Sequence, residues 1–211
     1  MRALRVLQER VTQRVREEVR EVASLEWSAG GDSARAAHAA FRVADEQAAR
    51  ALARAPNEPD CAPGCASCCH VHVEANAAEI AAAAAHLVAT RSAAELEALV
   101  PRLMLTSALS AEERWRTRIP CALLAAEGTC SIYEARPLRC RALHSYSVAL
   151  CREAYAGRTD EEPPQSPAIE RLYAAAEAGL EEALRGAGQA SWVVTLEAGL
   201  HAALTRDGSA G

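Results

Sequence analysis

Cys61-Ala62-Pro63-Gly64-Cys65-Ala66-Ser67-Cys68-Cys69-His70 packs four cysteines into nine residues, in the pattern C-x3-C-x2-C-C. Pro63 and Gly64 are turn residues, out of place inside a helix or strand. A turn lets neighbouring thiolates fold inward around a common point, so the stretch reads as the nucleus of a metal site. Pro56, Pro59 and Pro63 rule out regular helix here, and residues 55–73 are expected to form a loop. If Cys68 and Cys69 lie in extended backbone, their side chains point to opposite sides and do not serve the same small ion.

Outward from this loop the chain reads as helix. Before it, Leu4, Leu7, Val11, Val15, Val19 and Val22 recur at steps of three and four, predicting one apolar face on a helix over 3–25. Gly30-Gly31 ends that helix. Asp32 caps a second, running to about Arg54, with Ala37, Phe41, Ala44, Ala48 and Leu52 facing inward. After the loop come a short helix over about 77–89 and two capping boxes, Ser92-Ala-Ala-Glu95 and Ser110-Ala-Glu-Glu113, each opening a helix. Pro101 is expected to kink or restart the first of these. Glu127-Gly128-Thr129 predicts a turn, with a small β-hairpin between Leu123 and Ile132. Pro137 suits the first turn of a short helix bearing Cys140, and residues 146–156 carry Cys151 on another. Beyond the acidic, proline-rich stretch from Arg158 to Gln165, Ser166-Pro167 opens a helix with Ile169, Leu172, Tyr173, Ala176 and Leu180 on one side. A last helix over 191–205 is expected to bury Val193, Leu196, Leu200 and Leu204, and residues 207–211 to fray.

The expected fold is therefore all-α: helical hairpins flanking an irregular, cysteine-rich metal-binding centre. Its parts are an N-terminal helical hairpin over 1–56, a cysteine-cluster domain over 57–157, and a C-terminal helical hairpin over 166–206 packed on the same core. Composition agrees. Half of the 211 residues are apolar, alanine dominates and Phe41 is the single phenylalanine, which favours helix. The formal net charge of −5 argues against a nucleic-acid partner. All 23 basic residues are arginines, so Schiff-base chemistry and a phosphate-loop lysine are excluded. There is no His-Glu-x-x-His and no dinucleotide fingerprint. The charged N-terminus lacks the apolar core of a secretory signal, and no apolar run is long enough to cross a bilayer. A cytoplasmic location with no membrane partner is expected, and there cysteines serve as metal ligands or redox groups rather than structural disulfides.

The eight cysteines are Cys61, Cys65, Cys68, Cys69, Cys121, Cys130, Cys140 and Cys151, all in the middle of the chain. Ordinary buried cysteines would scatter over every helix, so this confinement argues for a shared task. Thiolates suit zinc, iron–sulfur clusters or copper(I). Mononuclear zinc draws on two short pairs, whereas a cubane iron–sulfur cluster often takes three close cysteines and one remote one. Cys61, Cys65 and Cys68 give the three-from-one-loop arrangement, and the second half has no C-x2-C pair, which favours an iron–sulfur cluster over zinc. The same C-x3-C-x2-C spacing occurs in radical S-adenosylmethionine enzymes, but those need strand–helix alternation, which is missing here. Arg136, Arg139 and Arg141 can offset thiolate charge or pair with Glu134. Tyr133 reads as a packing residue with a hydrogen-bonded hydroxyl. His70, His72 and His144 stand near cysteines and could replace a thiolate, but the cysteines already suffice, so each reads as an exposed residue or a neighbour of the ligands. Arg114, Arg116 and Arg118 around Trp115 could mark a surface for an anion, but read first as a solvated helix face.

The first cluster, Cys121, the segment Cys130-Ser-Ile-Tyr-Glu-Ala-Arg-Pro-Leu-Arg-Cys140-Arg141 and Cys151 together resemble the YkgJ-type cysteine-cluster family, the CxxCxxCC zinc- or iron-chelating domain. The resemblance covers about Pro59 to Arg152 and implies that all eight cysteines are metal-site residues. Some larger members resemble flagellin lysine methylases; no glycine-rich loop for S-adenosylmethionine is present here, so that activity is not carried over. Three functions follow as expectations: a protein with an iron–sulfur cluster serving electron transfer, sensing or support of a modifying enzyme; a structural zinc module that docks a protein partner; and a thiol-redox or metal-storage protein using Cys68-Cys69, marked by one reactive, low-pKa thiol. Whether the chain catalyses a reaction is left open.

Overall fold

The computed structural model describes residues 2–62 and 64–206, with the side chains of 2–5 and 206 outside that description. The expectations for the Leu4 side chain, Pro63 and residues 207–211 therefore lie outside the described residues. Nine α-helices are found among these: α1 (Arg2–Ser28), α2 (Ser33–Leu52), α3 (Ala77–Thr90), α4 (Ala93–Ser107), α5 (Ala111–Thr117), α6 (Leu138–Ala142), α7 (Val148–Tyr155), α8 (Pro167–Gly186) and α9 (Leu196–Arg206). Strands β1 (Glu74–Asn76) and β2 (Val193–Thr195) pair antiparallel, Ala75 opposite Val194. The fold is all-α apart from this two-stranded sheet. No helix among the described residues is long and apolar enough to cross a membrane.

Local chemistry explains most boundaries. Asp32 accepts from the Arg35 N–H and caps α2. Ser92 with Glu95, and Ser110 with Glu113, form reciprocal capping boxes at the starts of α4 and α5. A third box, Asn76 with Glu79, opens α3. α4 runs through Pro101 as one helix rather than restarting there.

The apolar faces meet in two cores. In the first, Val15, Val19 and Ala23 of α1 pack with Ala37, Phe41 and Ala44 of α2 and with Leu172, Tyr173, Ala176 and Leu180 of α8. α1 and α8 approach so closely that a Cβ on Gly179 would stand 2.3 Å from the Arg16 carbonyl oxygen. Leu7 and Val11 depart from expectation: at 58% and 41% exposed, they belong to the part of α1 that projects beyond its partners. The second core joins Ile80, Ala83 and Leu87 of α3, Leu103 of α4, Leu123 and Ile132 of the centre, and Leu196 and Leu200 of α9. The C-terminal helices thus divide, α8 completing the first core and α9 entering the second. Val193 is not on α9; it lies in β2 and is 41% exposed. Val193-Val194-Thr195 is a β-branched run, which suits the pleated backbone over the helix. α3 stands between the cores, with Ala78 and Ala82 turned to the first and Ile80, Ala83 and Leu87 to the second.

Candidate metal centre

The cysteine-bearing segments are strapped together by their backbones. Asp60 N–H donates to Ser145 O (2.9 Å), Ser145 N–H donates to Cys61 Sγ (3.3 Å), and Val148 N–H, at the start of α7, donates to Asp60 Oδ2 (3.3 Å). This fixes Cys61 against the segment that leads into α7 and Cys151. Cys68 and Cys69 lie not in extended backbone but in a 3-10 turn, Ser67–His70. The tighter winding keeps their sulfurs on neighbouring sides, and the two side chains share a hydrogen bond. Cys121 N–H donates to Cys69 O at 2.7 Å, which joins the first cluster to the middle of the chain. From Cys121 the chain makes a narrow β-type turn, with Leu124 bridged to Cys130 and Gly128 at φ +83. The expected small hairpin is thus reduced to one bridge.

Cys140 sits on α6, a short helix held from three directions. Glu79 of α3 accepts from Leu138 N–H (2.8 Å) and Asn76 N–H (2.9 Å). Arg139 pairs with Glu177 of α8 at 3.0 Å. Arg141 reaches Asp45 of α2 at 2.5 Å, and Tyr173 of α8 donates to the same carboxylate at 2.9 Å. α6 is too short to persist alone, so these ties to α2, α3 and α8 hold Cys140 in place.

All eight thiols are free. Several of them lie within electrostatic influence of one another. Cys69 is within reach of Cys68, Cys121 and Cys130, and Cys140 is within reach of Cys121, Cys130 and Cys68. Cys61 is within reach of Cys65, Cys68 and Cys151. Cys68 is within reach of all three. Among the described residues no three His, Cys, Asp or Glu groups stand close enough to hold one metal ion as placed. The thiols form a neighbourhood rather than a closed coordination sphere. Rotation about one side-chain bond swings a cysteine sulfur without moving its backbone.

Burial dominates the acidity of the inner thiols. It pushes Cys121 up to about 12, with the Glu197 carboxylate adding to the rise. It raises Cys140 well above the ordinary thiol value, helped by Cys121, Cys130 and Cys68, and raises Cys130 too. Cys68 goes the other way: the hydrogen bond from Cys69 and the positive charge of Arg136 draw it down to about 7. A soft cation at this point would relieve both effects, since each thiol must lose its proton to bind and the metal supplies the missing charge. The donor set of sulfurs in a half-buried pocket beside an arginine fits zinc or iron.

The arginines of the 136–141 segment have separate partners. Arg139 and Arg141 are committed to carboxylates, as above. Arg136 faces the thiols, lies 4.1 Å over the Tyr133 ring, and has a buried Nε–H with no hydrogen-bond partner. Tyr133 itself is 55% exposed and serves as a stacking surface rather than as core. Arg114 is a correction: it is buried, with Nη1 2.7 Å from Glu197 Oε1 of α9 and Nη2 donating to Cys69 O at 3.3 Å. It locks α5 and α9 to the first cluster instead of lying on a solvated face. No local signal marks it, because its partner is far along the chain. Glu79 had a signal, since Asn76-Ala-Ala-Glu79 has the capping-box form with asparagine at its head.

His144 and His70 are engaged elsewhere. His144 accepts from Ser166 N–H at Nε2 (2.8 Å), which leaves the proton on Nδ1 to donate to Ala142 O (2.7 Å); both ring nitrogens are used. His70 is buried 4.0 Å from the Tyr155 ring, and burial lowers its pKa. His72 keeps a buried Nε2 without a partner.

No curated protein and no solved structure matches the chain. A family model named CxxCxxCC and described as "Putative zinc- or iron-chelating domain" matches residues 60–163, a span that includes all eight cysteines and the segments that hold them. Residues 60–163, just under half of the chain, are thus similar to the CxxCxxCC family of zinc- or iron-chelating domains.

Proposed function

We propose that the chain is a cytoplasmic metal protein whose inner thiols, Cys68, Cys69, Cys121, Cys130 and Cys140, supply the ligands of an iron–sulfur cluster, with Cys61, Cys65 and Cys151 beside them. The observation that carries this reading is the convergence of thiols from three distant segments, 68–69, 121–130 and 140, into mutual electrostatic reach. The grouping offers more sulfurs than one tetrahedral zinc requires. Its sequence spacing, clustered on one side and dispersed on the other, is that of a cluster site. Such a cluster supplies one-electron redox chemistry when bound. The residues of the chain hold the sulfurs, exclude water on the side of the second core and bring Arg136 to the pocket. Electron transfer, sensing or support of a modifying enzyme each follow from those properties, and a protein partner is implied by each.

Anaerobic isolation, visible spectroscopy, metal analysis and acid-labile sulfide determination test the proposal. Iron and sulfide in comparable amounts with a brown chromophore are expected. Colourless protein with stoichiometric zinc and no sulfide would overturn the iron reading in favour of a structural zinc module. A thiol-redox role has one observation behind it, the exposed Cys68 drawn down to about 7 by Cys69. Metal-free protein in which a single thiol alkylates far faster than the rest would point there.

A further inference from the structure

Arg114, Arg118 and Arg136 each leave a buried N–H without a partner, but among the arginines whose charge reaches the thiols only Arg136 also lacks a carboxylate among the described residues. Arg139 and Arg141 are paired with Glu177 and Asp45, and Arg114 with Glu197. Arg136 has no carboxylate partner among the described residues. Its Nε–H is buried and unsatisfied, although an unpaired buried donor costs free energy. The guanidinium is not loose: it rests 4.1 Å over the Tyr133 ring, and the Arg136 carbonyl accepts from Arg141 Nε–H at 2.8 Å. Its charge reaches Cys68, Cys130 and Cys140. A buried Nε–H so held, with no acceptor of its own, is a place prepared for one that arrives with the metal.

We infer that Arg136 donates its Nε–H to a sulfur of the bound centre and balances part of the centre's negative charge, making it the residue of this chain that sets how firmly the metal is retained. A centre with four thiolates around a divalent metal carries a net charge of about −2, and a fixed cation beside it lowers the cost of burying that charge. A sulfur-directed N–H adds a charge-assisted hydrogen bond. Tyr133 contributes by fixing the plane of the fork. This inference rests on the metal-centre reading above and holds for zinc and iron alike.

The test uses the full chain isolated anaerobically, as the parent and as Arg136→Gln, Arg136→Lys and Arg50→Gln. Metal per chain, far-UV circular dichroism and the rate of metal transfer to a competing chelator are measured for each. Arg136→Gln is expected to release metal about 10- to 100-fold faster than the parent, the usual effect of removing a hydrogen-bonding partner of metal ligands. Arg136→Lys, which keeps the charge but loses the fork, should fall between, and Arg50→Gln, on the exposed face of α2 beside Glu46, should match the parent. Should Arg136→Gln lose its circular dichroism, Arg136→Lys carries the test, and release at the parental rate overturns the inference. Equal release from folded Arg136→Gln, Arg50→Gln and parent overturns it while leaving the metal centre standing. A parent that binds no metal overturns both.

Discussion

Glu79 is the one fully buried carboxylate that ties α3 to the helix bearing Cys140, and its ionisation should be visible in the stability of the whole chain. Its oxygens accept from Asn76 N–H and Leu138 N–H, both of which favour the anion, yet burial outweighs them and raises the group from 4.5 to about 7. The folded chain therefore holds this proton more tightly than the unfolded chain. The resulting stability is fully present below pH 4.5 and is lost as pH rises through about 7, amounting to about 3 kcal/mol between those limits. Glu79→Gln removes the titration. Its amide oxygen can accept from only one of the two N–H groups, so the variant starts with a deficit of about 1–3 kcal/mol from the donor left unpaired. Urea unfolding of parent and variant at pH 5, 6, 7 and 8, followed by circular dichroism under reducing conditions, separates the two effects. The parent should be the more stable at pH 5, and its lead should shrink by about 2–3 kcal/mol on going to pH 8. Taking the difference between the proteins cancels the thiols and other shared groups. A lead that stays constant, or grows with pH, would refute the reasoning, because it would mean that the two N–H groups outweigh burial.

Glu197→Gln leaves the Arg114 guanidinium buried without its counter-charge and should cost about 3–5 kcal/mol in chemical denaturation, whereas the double change Arg114→Met with Glu197→Leu should recover most of that loss. Gly179→Ala places a methyl group against the Arg16 carbonyl where α1 crosses α8, and a loss of about 1–3 kcal/mol is expected, read from the urea midpoint. Cys140→Ser and Cys130→Ser should abolish stoichiometric metal on isolation, while Cys151→Ser, outside the inner group, should retain it; metal analysis of the three proteins decides. Stripping metal from the parent with a chelator should lower its melting temperature, since the inner thiols repel one another's ionisation once the cation is gone.

Much of this organisation is legible in the sequence, because it is written in local chemistry. Ser92 with Glu95 and Ser110 with Glu113 mark helix starts that involve only their own neighbours, and Pro167 marks another, although Ser166 makes no side-chain cap there. The confinement of the cysteines to one region announces the centre. What is not legible depends on partners far along the chain. Arg114 resembles any surface arginine until Glu197 is folded beside it. Val193 falls in register with Leu196 and Leu200 as if on one helix, and only pairing with Asn76 reveals a strand. Leu7 and Val11 carry the right periodicity, but periodicity says which face is apolar and not how far the covering helix extends. The 3-10 turn at Cys68 and Cys69 is likewise a backbone choice that residue types alone leave undecided.

α3 forms a wall common to both cores, with Ala78 and Ala82 on one surface and Ile80, Ala83 and Leu87 on the other. Neither half can come apart without stripping that wall bare, so the molecule should melt in a single step, and a protease acting on the native protein should leave no durable half-sized fragment. Damage to any one helix would then be felt at the sulfurs, however distant the lesion.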